Sequence, residues 1–102
     1  MSYYNRKEQI INTLNKFNEI YKSYNIEVII VDDNSNDENK LEDIIKNYNF
    51  NIKLIKIIFK NYKNPVIGYN TEFLHCSGDI IIIQNPEILH CNDIIKYILN
   101  IY

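Results

Sequence analysis

Apolar residues fall at Ile10, Ile11, Leu14, Phe17, Tyr21 and Tyr24. Steps of three and four put them on one face of a helix over 6–24. Residues 26–32 carry the apolar run Val28-Ile29-Ile30-Val31 and predict a strand buried on both faces. Helical spacing returns over 38–48 with Leu41, Ile44, Ile45 and Tyr48, where Ser35 or Asn36 is placed to cap. Residues 52–58 predict a second strand, less apolar and so nearer an edge. Asn64-Pro65 opens another helix, with Asn64 as N-cap and Pro65 at its first position. It is expected to run to about Cys76 and stop at Ser77-Gly78. Residues 79–83 predict a third strand, and 92–101 a last helix.

The resulting order is α-β-α-β-α-β-α. Such alternation predicts an α/β fold of three layers, αβα and Rossmann-like, around a mostly parallel sheet with right-handed crossovers. Residues 1–102 carry no linker and no repeat, and read as one partial domain. The chain enters a helix after only a few residues. Met1 to Asn5 have the pattern of a strand's last residues and the loop that follows.

Composition narrows the partners. A net charge of −2 with a single arginine, Arg6, argues against an electrostatic nucleic-acid binder. No run reaches the roughly 18 apolar residues of a membrane span. The first residues are polar without a signal-peptide core, so a cytoplasmic setting is expected. Ile, Asn, Lys and Tyr dominate, as translation of AT-rich codons produces. Asn disfavours helix interiors while β-branched residues favour strands, so propensity is expected to understate the helices. Cys76 and Cys91 each follow a histidine, but neighbours in sequence diverge, and structural zinc uses ligands two to four apart. Cys76 therefore reads as a core thiol at a helix end.

Candidate chemistry sits where apolar runs end. The strand at 26–32 delivers Asp32 and Asp33, then Asn34-Ser35. The run Ile80–Ile83 is followed by Gln84-Asn85-Pro86-Glu87. Parallel strands bring such acids to one carboxyl edge, where ligands of open α/β sheets bind. A sugar, a nucleotide or a metal fits acids so placed. A receiver-type Mg²⁺ site would need an aspartate ending a later strand, yet 52–58 runs on into Phe59 and 79–83 into Gln84-Asn85. A dinucleotide fold would need a Gly-x-Gly-x-x-Gly turn, which a chain with two glycines does not contain.

Four motifs in order carry a family resemblance. Ser2-Tyr3-Tyr4-Asn5-Arg6 is similar to S-x-Y-N-R at the end of a first strand. Val31-Asp32-Asp33-Asn34-Ser35-Asn36-Asp37 resembles V-D-D-G-S-x-D. Asn64 to Asn70 with Gly78-Asp79 resembles a helix running from N-x-G through an asparagine to G-D. Asn85-Pro86-Glu87 falls at the D-x-D position. Together they resemble the amino-terminal, nucleotide-sugar-binding half of an inverting family 2 glycosyltransferase with the GT-A fold.

The resemblance implies a nucleotide-diphosphate sugar, a UDP-sugar first, as ligand. Tyr4 would stack on the base, a contact worth about 1–3 kcal/mol in single-stranded nucleic-acid sites. Asp33, with Asp32 beside it, would accept hydrogen bonds from base or ribose, and Asn70 would lie on the nucleotide side. Asn85 and Glu87 would hold Mn²⁺ or Mg²⁺ against the diphosphate. Two departures matter. Asn85 replaces a carboxylate, and Tyr69 stands where arginine is common. His90 follows the metal turn closely and is a further candidate for ligand or phosphate donor. The acceptor half and the catalytic base of the family lie beyond the last motif, so no residue is assigned that role. These expectations describe a fragment that is inactive alone, served by another chain supplying the missing half. The alternative is a degenerate, non-catalytic binding or assembly module.

Overall fold

The computed structural model describes residues 1–56, 76–78 and 80–101. Its elements are strand β1 (Ser2–Tyr3), helix α1 (Lys7–Ile20), strand β2 (Glu27–Asp32), strand β3 (Asn51–Lys56) and helix α2 (Ile94–Ile101). The described strands form one sheet of order β1-β2-β3. Both pairings are parallel, with Ser2 opposite Val31 and Tyr3 opposite Asp32 on one side of β2. On the other side Glu27 lies opposite Asn51, and Asp32 opposite Lys56. The α/β class and the parallel sheet are as the alternating pattern implies, and Ser2-Tyr3 is indeed a short first strand.

α1 closes one face of this sheet. Ile10, Leu14, Phe17 and Tyr21 point from it into a core shared with Tyr3, Val28, Ile30 and Leu41. Side chains alternate across a strand, so Ile29 and Val31 face the other way, and they are buried as well. β2 is therefore covered on both faces, which accounts for its continuous apolar run. β3 alternates exposed and half-buried positions, as suits its place at the edge of the described sheet. Across the two strands Lys53 pairs with Glu27 at 2.9 Å. That ammonium, with the Ser77 hydroxyl, holds the Glu27 carboxyl below its usual range.

Four expectations need correction or lie outside this description. Residues 38–48 are not a continuous helix. Two short 3-10 turns, Asp37–Asn39 and Ile45–Asn47, stand there instead. Leu41 anchors the segment in the core, and its carbonyl receives the amides of Ile44 and Ile45 at 3.0 and 3.1 Å. Asn36, Asn39 and Asn47 around this single anchor lower helix propensity, and short 3-10 turns result. The three-and-four spacing, not propensity, overstated the helix here. Residues 80–83 carry no strand, and their side chains are exposed. A β-branched run becomes a strand only against a partner backbone. Residues 64–75 of the helix predicted over 64–76 and the end of the 52–58 strand fall outside the description, and Cys76 is not helical.

If β2 is the buried centre, trimming it should cost more than trimming β3. Ile30→Val is expected to lose about 0.5–1.5 kcal/mol. The same change at half-buried Ile55 should lose measurably less. Urea melts of the two variants check this, and equal losses would contradict the layering.

Candidate functional site at the carboxyl edge of the sheet

β1 and β2 run in the same direction, so both end at one edge, and their loops meet there. The Asp33 amide donates to the Tyr3 carbonyl at 2.8 Å, extending the pairing past the strands. Side chains then lace the loops together. The Asn5 amide donates to Ser35 Oγ at 3.0 Å. The Asn36 amide donates to Asn5 Oδ1 at 2.9 Å. Asn39 Nδ2 donates to Asn36 Oδ1 at 2.7 Å. Below them the Tyr3 hydroxyl donates to the Asn39 carbonyl at 2.7 Å.

Two residues take left-handed backbone, Asn5 at φ 47° and Asn34 at φ 59°. Asparagine is the side chain that tolerates this region most readily after glycine. Asn34 stands at the glycine of the motif V-D-D-G-S, so the turn keeps its geometry with a bulkier residue. Ser35 and Asn36 do not act as side-chain helix caps, which corrects the capping expectation. Their side chains are spent on Asn5 and Asn39 instead. Sequence reasoning missed Asn5, Ser35, Asn36 and Asn39 as site builders. The available signal was a polar cluster after each of two adjacent strands.

The paired acids have different surroundings. Asp32 is 2% exposed, and its Oδ1 accepts the Ser35 amide at 2.9 Å. It shapes the turn from inside. Asp33 is half-buried at the mouth of the loop, with Oδ1 shielded from solvent. Tyr4 follows Tyr3 at the end of β1 and is 55% exposed. Tyr4, Asp32 and Asp33 are thus gathered at one edge. Asn70 lies outside the described residues. Beneath the site the Tyr3 hydroxyl is fully buried, and its pKa is pushed up to about 12, first by burial and then by the Asp32 carboxylate. A hydrogen bond with the Arg6 backbone acts the other way.

Asn85 and Glu87 are exposed on a turn in which the Ile88 amide reaches the Asn85 carbonyl at 3.1 Å. The contacts that fix this turn run to α1: Thr13 Oγ1 donates to the Pro86 carbonyl at 2.5 Å. Thr13 lies six residues along α1 from Lys7, or about 9 Å down the axis from the carboxyl edge. An amide oxygen and a carboxylate suit a hard cation that keeps water and phosphate as its other ligands. Among the described residues no group of three or more His, Cys, Asp or Glu could hold a metal by itself. His90 is placed elsewhere. Its Nδ1 is bonded to Tyr21 Oη and its Nε2 to Gln84 Oε1, each at 2.6 Å. Cys76 is half-buried rather than a core thiol, and Cys91 is exposed.

Asp32→Ala strips the buried acceptor from the Ser35 amide and should cost about 1–3 kcal/mol. Asp32→Asn keeps an oxygen there and should cost less in the same melts. Tyr3 makes a pH prediction. Its pKa is raised in the fold, so the contribution is full below the ordinary tyrosine value near 10 and is lost as pH rises toward 12. Tyr3→Phe should flatten that alkaline decline relative to the unsubstituted chain. Among the described residues no helix is long and apolar enough to cross a membrane. No curated protein and no solved structure matches the chain. The family model described as glycosyl transferase family 2 matches residues 1–87. With its parallel sheet and its two laced loops after β1 and β2, the chain belongs to glycosyl transferase family 2.

Proposed function

We propose that this domain binds the nucleotide part of a nucleotide-diphosphate sugar, a UDP-sugar first, at the carboxyl edge formed by the β1 and β2 loops. The observation that supports the reading is the lacing of Asn5 to Ser35 and Asn36, which joins the loops that carry Tyr4, Asp32 and Asp33. A base would lie against the Tyr4 ring. The Asp33 carboxylate would accept from base N–H or ribose hydroxyl groups, which is how acidic groups at such edges select nucleotides. Asn70 belongs to this proposal by resemblance.

Asn85 and Glu87 would supply oxygens to Mn²⁺ or Mg²⁺ only together with the ligand's phosphates, because the turn offers one carboxylate. When bound, such an ion neutralises charge on the departing nucleotide diphosphate. Asn85 in place of a carboxylate makes that hold weaker. No described residue is assigned the base that would deprotonate an acceptor hydroxyl. The proposal also holds that these residues bind donor without completing transfer alone, with another chain supplying what transfer needs. The second reading, a non-catalytic binding or assembly module, is favoured by the anchoring of the Asn85–Glu87 turn to α1.

UDP with Mn²⁺ should raise the melting temperature, as any ligand specific to the folded state does. Asp33→Ala should remove the rise while leaving the unliganded melt nearly unchanged. Glu87→Ala should remove only the part that depends on Mn²⁺. A melt unmoved by UDP at millimolar concentration would contradict donor binding and favour the module.

A further inference from the structure

The carboxyl end of α1 carries a second polar cluster, far from the loops that gather Asp33. Tyr21 Oη and His90 Nδ1 lie 2.6 Å apart, and His90 Nε2 and Gln84 Oε1 also 2.6 Å apart. Tyr21 Oη also accepts the Ile94 amide at 3.2 Å, the first residue of α2. The His90 ring lies against Phe17 and Tyr21, with centroids at 5.0 and 5.8 Å. Beside it Tyr24 Oη donates to Asp93 Oδ2 at 2.8 Å, while Asp93 Oδ1 accepts the Lys96 amide at 2.9 Å. These contacts tie the segment after Ile83 and the start of α2 to α1.

The donors and acceptors close in one way. Gln84 Oε1 only accepts, so His90 Nε2 carries the proton. Nδ1 then accepts from the Tyr21 hydroxyl, and Tyr21 in turn accepts from Ile94. Every group is satisfied with a neutral imidazole. We propose that His90 is an acid-sensitive latch: neutral, it holds Gln84 to Ile94 and α2 against α1, and protonated, it releases them.

Protonation puts a second hydrogen on Nδ1, facing the hydroxyl hydrogen of Tyr21. The hydroxyl must turn away and gives up its acceptor. The new cation would sit half-buried against two rings. Among the described residues, the titratable groups around it are Tyr21 and Tyr24 on the α1 side and Asp93 on the α2 side. Asp93 favours the cation, but both its oxygens already serve Tyr24 and Lys96. Burial prevails and lowers the His90 pKa below its usual value. A base with a lowered folded pKa contributes stability that is full above its unfolded value near 6.5 and is lost as pH falls below it. Release would also open one wall of a cavity of about 780 Å³ lined by Phe17, Tyr21, Gln84, His90, Ile95 and Ile98.

The test is amide hydrogen exchange at Ile94 with an NMR titration of the His90 ring, from about pH 7.5 to about pH 5. The proposal expects Ile94 protection to fall several-fold over that range, with a midpoint that tracks the ring titration, while Ile30 in β2 keeps its protection. In His90→Gln the Ile94 protection should be the same at both ends of the range. Ile94 protection that is flat in the unsubstituted protein, or that falls equally in His90→Gln, would overturn the latch. Should His90→Gln fail to fold, the agreement or disagreement of the two midpoints in the unsubstituted protein decides alone.

Discussion

Parallel pairing of β2 with a strand on each side is the constraint on which the rest depends. It buries a six-residue strand on both faces, and it fixes direction. Strands that run together also end together, so whatever follows β1 and β2 must share one edge. The Asp33 amide on the Tyr3 carbonyl shows the pairing carried into the loops. The acids after Val31 therefore owe their position to backbone geometry before any side-chain contact.

Loop chemistry then converts that position into a shaped site. Asn5 and Asn34 provide the two left-handed turns, and Asn5, Ser35, Asn36 and Asn39 bind the loops to one another. Asp32 serves the interior of the turn and Asp33 its mouth. Of two adjacent carboxylates, one is buried and the other half-buried. The match to glycosyl transferase family 2 spans this whole region.

Much of this was legible in the residues because burial leaves a direct pattern. The apolar run of 28–31 announced a strand covered on both sides, and the three-and-four spacing of Ile10, Leu14, Phe17 and Tyr21 announced α1. The doublet Asp32-Asp33 marked the end of that strand, though not which acid turns inward. That depends on register, which alternation alone does not reveal. The segment 38–48 misled because its apolar spacing is helical while its asparagines favour local turns. Ile80–Ile83 misled because strand propensity states what a segment can pair with, not whether a partner is there. The tie of Gln84 and His90 to Tyr21 spans about seventy positions of sequence, and no local pattern marks it.

Amide chemical shifts on titration with UDP and Mn²⁺ test the central claim most directly. The account predicts shifts concentrated at Asn5 and at Asp33 to Asn36, with Phe17, Tyr21 and Ile95 around the apolar cavity unmoved. Shifts confined to the cavity residues, or none at saturating UDP, would contradict a nucleotide site at the carboxyl edge of the sheet.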